Sequence, residues 1–206
     1  MDNIEKLTEI FKEFPGIGER QAKRFVYFLM FKNSEYSNNL AKSILELKKE
    51  TAQCAECFRF FINEKKTHST SSVCEICADI HADSSMLIVI EKDSDLESIY
   101  KSKVYNGKYF ILGGLVPIVE KNTNRIVRIN ELIKKIQNSK NLKEVVLAFS
   151  ANPQGNHTDF YIRNQLKPIT ESLNIKISSL GKGLSTGTEL EYSDNDTLKN
   201  ALKNRQ

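Results

Sequence analysis

Apolar residues near the start of the chain recur every three to four positions. Ile4, Leu7, Ile10, Phe11 and Phe14 mark one helical face, with Asp2 or Asn3 placed to cap it. Pro15-Gly16-Ile17-Gly18 interrupts the pattern, and Ala22, Phe25, Val26 and Leu29 resume it on a second helix. A third amphipathic helix is predicted over Asn38 to Lys49, burying Leu40, Ile44 and Leu45. From Met86 the period changes. Met86 to Ile90 is a short continuous apolar run of the buried-strand type, and a helix follows over Ser94 to Ser102 with Leu96, Ile99 and Tyr100 inward. Asn106-Gly107 turns the chain into a strand over Tyr109 to Leu112. Ile129, Leu132, Ile133 and Ile136 predict another helix, Glu144 to Phe149 a third strand, Thr158 to Leu166 a helix, and Ile175 to Ser179 a fourth strand. Leu198 to Lys203 closes the pattern as a short amphipathic helix. Such alternation predicts an α/β region with a largely parallel sheet covered on both faces, where ligand sites lie beyond the carboxyl ends of the strands.

Between the helical start and the first strand the pattern fails. Thr67-His68-Ser69-Thr70-Ser71-Ser72 is too polar to pack a core. All four cysteines of the chain flank it, as two Cys-x-x-Cys pairs: Cys54 with Cys57, and Cys74 with Cys77. That spacing suits a tetrahedral four-thiolate zinc site, in which each pair contributes one tight knuckle. A redox dithiol expects a single pair, and two disulfides expect an exported protein. Met1 to Lys6 leads directly into a charged periodic helix without an apolar signal core, so structural zinc is the favoured reading and the cytoplasm the expected compartment. Four thiolates leave no open position for water, which disfavours a catalytic zinc. His68, His81 and His157 are scattered and read as ordinary histidines, although His68 sits inside the cysteine loop.

The helix, Pro-Gly-Ile-Gly, helix arrangement resembles a helix-hairpin-helix nucleic-acid-binding motif. Gly16 and Gly18 let the backbone turn tightly and approach a phosphate with no Cβ in the way. The second helix then begins at once, presenting free N–H groups and its dipole to an anion, with Arg20, Lys23 and Arg24 on its first turns. Contacts of this kind read no base sequence and are salt-sensitive. The competing reading is an ordinary helical turn with a solvated basic face.

Composition narrows the choice little. In 206 residues, 40% hydrophobic and 27% charged is ordinary for a globular protein, and no apolar run approaches the length of a membrane span. The net charge of +4 permits nucleic-acid binding without requiring it. No Gly-x-x-x-x-Gly-Lys-Ser/Thr loop is present; Gly181 to Gly187 lacks that spacing and reads as a surface loop. Glu91 stands at the carboxyl end of the first sheet strand, and Asp95 follows four residues later, a pair that suits Mg²⁺. Asp93 adds a third acid on a different face of the turn, and Asp93, Ser94 or Asp95 serves equally well as a helix cap.

The order of these modules resembles the RecR family of bacterial recombination mediators, nearly end to end. The matching pieces are Phe14-Pro15-Gly16-Ile17-Gly18 with Ala22 and Arg24, the four cysteines, Val89-Ile90-Glu91 with Asp95, and Leu112-Gly113-Gly114. Gly181-x-Gly183, Leu190-Glu191-Tyr192-x-Asp194 and Thr197-Leu198 complete them. The resemblance implies a helix-hairpin-helix region over 1–53, a zinc finger over 54–77, a Toprim-like domain over 78–180, and a segment over 181–206 for oligomerisation or docking. It implies a non-enzymatic homo-oligomer, a dimer or ring-like tetramer, that can encircle single- or double-stranded DNA. With RecO, and in some species RecF, such a clamp helps load RecA onto strands coated by single-strand-binding protein. The family's DNA-contacting positions fall on Arg20 and Arg24, with Lys23 between them, and its Toprim carboxylates fall on Glu91 and Asp95.

The departures are informative. Arg20 stands where Lys is usual, keeping charge but replacing a point cation by a planar fork. The cysteine loop is longer than the family leads one to expect. Gln154 occupies the family's Glu position and Ser150 its Asn position. A neutral Gln withholds the charge that tightens Mg²⁺, which puts metal binding at Glu91 and Asp95 in doubt. It also weighs against the alternative, a Mg²⁺-dependent nuclease or primase-like enzyme, since two-metal phosphoryl chemistry needs more acids.

Overall fold

Asp2 caps the first helix of the computed structural model: its carboxylate accepts from the Glu5 N–H at 2.8 Å, and the Glu5 carboxylate accepts from the Asp2 N–H at 3.1 Å. The structure describes residues 1–63, 73–119, 127–181, 183, 184, 187 and 189–203. His68 and the polar loop of the cysteine module, and Lys182, Ser185 and Thr186 of the Gly181 to Gly187 stretch, lie outside the described residues.

The chain forms two compact units, Met1–Thr51 with Ile62–Glu64, and Ala52–Phe61 with Lys65–Gln206. The first holds α1 (Asn3–Lys12), α2 (Glu19–Phe31) and α3 (Ser34–Glu50). Phe11 of α1 meets Phe25 of α2 edge-on at 5.7 Å, and Ala22 and Val26 are buried. The expected burial of the third helix is corrected: no residue of α3 is buried, and Leu40, Ile44 and Leu45 are exposed. On α1, Leu7 and Ile10 are likewise exposed, and Thr8 is the buried residue. Apolar periodicity reports a face to be covered; within this unit α1 and α2 cover each other only in part.

The short strands β1 (Thr51–Gln53) and β2 (Phe60–Ile62) pair, all but Thr51 and Ile62 of them in the second unit, where α4 (Glu75–Ala78) follows. β3 (Asp83–Ile90), β4 (Gly107–Ile111), β5 (Glu144–Ala148) and β6 (Lys176–Ser179) form one all-parallel sheet in the order β4-β3-β5-β6. α5 (Asp93–Ser102), α6 (Ile129–Asn138) and α7 (Pro153–Leu173) connect the strands, and α8 (Asn195–Lys203) ends the described chain. Register aligns Ile90 with Ile111 on one side and Ala148 on the other, so the carboxyl ends of three strands lie level.

The alternation along β3 assigns its two faces. Leu87 and Val89 join Phe110, Leu112, Leu132, Ile136, Ile162 and Leu166 in a core beneath α6 and α7. Ile88 and Ile90 join Tyr109, Ile111, Leu96 and all four cysteines in a second core. The cysteine module therefore covers one face of the sheet jointly with α5. It also caps the outer strand, where the Ile111 N–H donates to the Cys57 carbonyl at 2.9 Å and leaves less of that edge open. Tyr100, expected inward on α5, is half exposed instead. α7 runs well past the expected Thr158 to Leu166, through Pro168; Thr170 is buried beyond the proline, and its hydroxyl donates to the Leu166 carbonyl at 3.1 Å.

Candidate functional site

At the hairpin, Gly16 has φ +76, a conformation costly for residues with a side chain, and the Ile17 N–H donates to the Phe14 carbonyl at 3.0 Å to close the turn. Gly18 is the N-cap of α2 and offers no side chain to its first-turn N–H groups. A Cβ at Gly16 or Gly18 would meet nothing within 4 Å, so the corner is open to solvent. Arg20, Lys23 and Arg24 are all exposed. Lys23 donates to the Glu19 carboxylate at 2.7 Å, which pulls Glu19 below the usual carboxylate range and raises Lys23. Arg24 donates to Gln21 at 3.3 Å, and Arg20 makes no ion pair among the described residues. Three cations thus flank an uncapped helix start, with one of them already partnered.

The four thiols converge. Their Sγ atoms lie within 4.8 Å of one another, and those of Cys57 and Cys74 are 3.6 Å apart. Tetrahedral coordination at about 2.3 Å per thiolate places sulfurs roughly 3.8 Å apart, so the set fits a four-coordinate metal and is too open for a disulfide. All four cysteines are free and buried. The Glu56 and Cys74 N–H groups approach the Cys54 sulfur at 3.4 and 3.3 Å, donors suited to a thiolate. Hydrogen bonding from Cys57, then Cys74 and Cys77, holds Cys54 far below the usual thiol range, while the Cys54 thiolate pushes Cys77 far above it. Protons and metal compete for these sulfurs, so acid favours metal release.

The strand-end acids do not converge in the same way. Lys92 is the N-cap of α5, and its N–H donates to the Asp95 carboxylate at 3.3 Å. Asp93 accepts the Phe60 N–H at 2.7 Å. Glu91 is partly buried, and its carbonyl accepts the Gly113 N–H at 2.9 Å. Among the described residues, no three carboxylates gather at metal-binding distance; the four cysteines alone form such a group.

Three features at this sheet end left no pattern in the sequence. Arg128 stacks over the Phe58 ring at 5.3 Å and donates to the Ile111 carbonyl at 3.2 Å, and a side chain at Gly113 (φ +96) would collide with it. Thr158 is buried, accepting the Val116 N–H and donating to the Gln154 carbonyl. Asp159 bonds Arg163 at 2.7 Å and also Ser179, beside a cleft of about 300 Å³ that Phe149, Ser150, Asn156 and Gly181 help to line.

Family comparison covers almost the whole chain. A model of the Toprim domain matches residues 85–180, and one described as RecR, C-terminal, matches residues 183–206. The protein named Recombination protein RecR from Ligilactobacillus salivarius is 30% identical over 203 residues, 98% of this chain and 96% of its own. The chain belongs to the RecR family. Other RecR proteins match similarly: that of Lactobacillus acidophilus is 31% identical over 98% of this chain and 96% of its own, and that of Gloeothece citriformis 32% over 98% and 95%. The Toprim match spans β3 to β6, and the RecR C-terminal match spans α8 and the 3-10 turn Leu190–Tyr192. Within this RecR chain Gly155 packs so closely that a Cβ would overlap the Ser150 carbonyl oxygen. Gly155→Ala is therefore expected to displace the first turn of α7 and cost about 1–3 kcal/mol, read as a lower denaturation midpoint with unchanged m-value.

Proposed function

We propose that this RecR-family chain is a non-enzymatic DNA-binding assembly protein of recombinational repair. Arg20, Lys23 and Arg24 hold backbone phosphates around the Gly16–Gly18 corner, and Cys54, Cys57, Cys74 and Cys77 bind one structural Zn²⁺. Subunits associate into a dimer or ring-like tetramer that, with RecO and in some settings RecF, helps load RecA on strands coated by single-strand-binding protein. Its place of action is the cytoplasm, at the nucleoid. No helix among the described residues is long and apolar enough to cross a membrane.

The observation that carries the DNA reading is the uncapped, glycine-led start of α2 with exposed cations on its first turns. Self-association is supported by the first unit: α3 buries nothing, and Phe31 is 96% exposed beside exposed Tyr27 and Phe28, an apolar surface that a second copy would cover. In a closed oligomer each subunit brings its own hairpin, and weak contacts multiply through effective concentration. The non-enzymatic reading is supported by Asp93 and Asp95 being tied to backbone N–H groups and by neutral Gln154.

Three measurements test this. Oligonucleotide titration over a salt series should give affinity falling linearly with salt on logarithmic axes, with little dependence on base sequence. Labelled DNA incubated with Mg²⁺ should remain intact; cleavage or synthesis that Glu91→Gln abolishes would establish the Toprim-enzyme alternative. Light scattering that finds a strict monomer, with and without DNA, would remove the clamp.

A further inference from the structure

We propose that Asp93 couples the cysteine centre to the acidic turn after β3, so that metal occupancy at the four thiols sets the order of the segment carrying Glu91 and Asp95. This rests on the metal reading above and adds a specific connection to it.

Helix chemistry leaves Asp93 spare. Lys92 is the N-cap of α5 and the Asp95 carboxylate accepts its N–H, so Asp93, at the first helical position, is not needed for that contact. Its carboxylate instead accepts the Phe60 N–H at 2.7 Å, across 33 residues. That is a short charge-assisted bond to the first residue of β2, three residues after Cys57.

The knuckle from Cys54 to Phe60 is held to the sheet at other points as well. The Cys57 carbonyl accepts from Ile111, Phe58 packs edge-on against Phe110 at 5.3 Å, and Arg128 stacks over Phe58. Phe58 itself sits at φ +65, a conformation that persists only where its surroundings enforce it. These ties end on β4 and Arg128. Leu96 of α5 shares a core with the cysteines, but among the described residues the Asp93 bond is the only hydrogen bond from this knuckle to the acidic turn. Two of the four thiols, Cys54 and Cys57, belong to this knuckle, so the geometry that a metal imposes on it passes through Phe60 to Asp93. Coupling of this kind is reciprocal: whatever orders the acidic turn also tightens metal binding.

The test compares Asp93→Ala with Asp93→Asn in the full zinc-loaded chain. Asparagine keeps the Oδ1 acceptor for Phe60 but loses the charge; alanine loses both. Any benefit of negative charge at the helix start disappears in both variants. Zinc release to 4-(2-pyridylazo)resorcinol is expected to quicken about tenfold in Asp93→Ala and only about threefold in Asp93→Asn, whose neutral bond keeps about half the strength. Hydrogen exchange over residues 91–97 is expected to rise when zinc is stripped from the wild type, and to be already high in Asp93→Ala with little further response. Release from Asp93→Ala at the wild-type rate, asparagine behaving like alanine, or exchange over 91–97 indifferent to zinc would each overturn the coupling alone. A wild-type chain that holds no zinc would overturn the metal reading and the coupling together.

Discussion

Replacing Arg20, Lys23 and Arg24 together with alanine is expected to lower affinity for oligonucleotides on the order of a hundredfold at physiological salt, while the fold survives. Each phosphate neutralised contributes roughly 0.7 to 0.9 to the slope of log affinity against log salt, so three cations account for about 2 to 3 in slope. The structure trims that figure. Lys23 is already bonded to Glu19, and binding a phosphate must break or share that pair. The loss of slope should therefore lie nearer 2, and Glu19→Gln alone should strengthen binding by freeing Lys23. All three cations are exposed and on one helix, so their removal costs no core packing. A fluorescence anisotropy salt series, with circular dichroism as the folding control, checks both parts. Undiminished binding by the triple variant would refute the hairpin as the interface.

Cys57→Ser is expected to strip the metal and lower the melting temperature on the order of 10–20 °C. Structural zinc contributes about 10–16 kcal/mol of apparent binding energy in finger peptides, and that energy is folding energy. Here the cysteines also pack into the core of a larger unit that persists without metal, so only part of that energy, several kcal/mol, is felt as lost stability, and a domain of this size loses roughly 2–4 °C per kcal/mol. The effect extends beyond the knuckle because the cysteines share a core with Ile88, Ile90, Tyr109 and Ile111 on one face of the sheet. A displaced Cys57 also withdraws the carbonyl that pairs with the Ile111 N–H. Metal content by mass spectrometry should fall from about one ion per chain to about none. Full metal content with an unchanged melting temperature would contradict the structural role.

Much of the α/β unit was legible because its signals are local. A continuous apolar run such as Met86 to Ile90 announces a strand buried on both faces, and β3 is one, with Leu87 and Val89 facing one core and Ile88 and Ile90 the other. The helix that begins at Pro153 was read too short. A proline inside a pattern argues for a stop, yet Pro168 is carried because residues on both sides of it, Leu166 and Thr170, are buried. The periodicity of Leu40, Ile44 and Leu45 is that of a helix, but α1 and α2 do not bury it; a stripe encodes the need for a partner without naming it. Asp93 and Asp95 were open between cap and site, and their two backbone partners, Phe60 and Lys92, are now known.

Spacing by itself determined the two cysteine knuckles and the glycine corner before α2, because each is a conformation a few residues long whose chemistry travels with the residue type. Tertiary structure alone decided that the cysteine module would form part of the sheet's core, that Arg128 would lie over Phe58, and that Asp93 would hold the Phe60 N–H. Those contacts join positions far apart in the chain, and the Asp93 bond ends on a backbone N–H of the kind nearly every residue carries, so nothing in the order of side chains could mark them in advance.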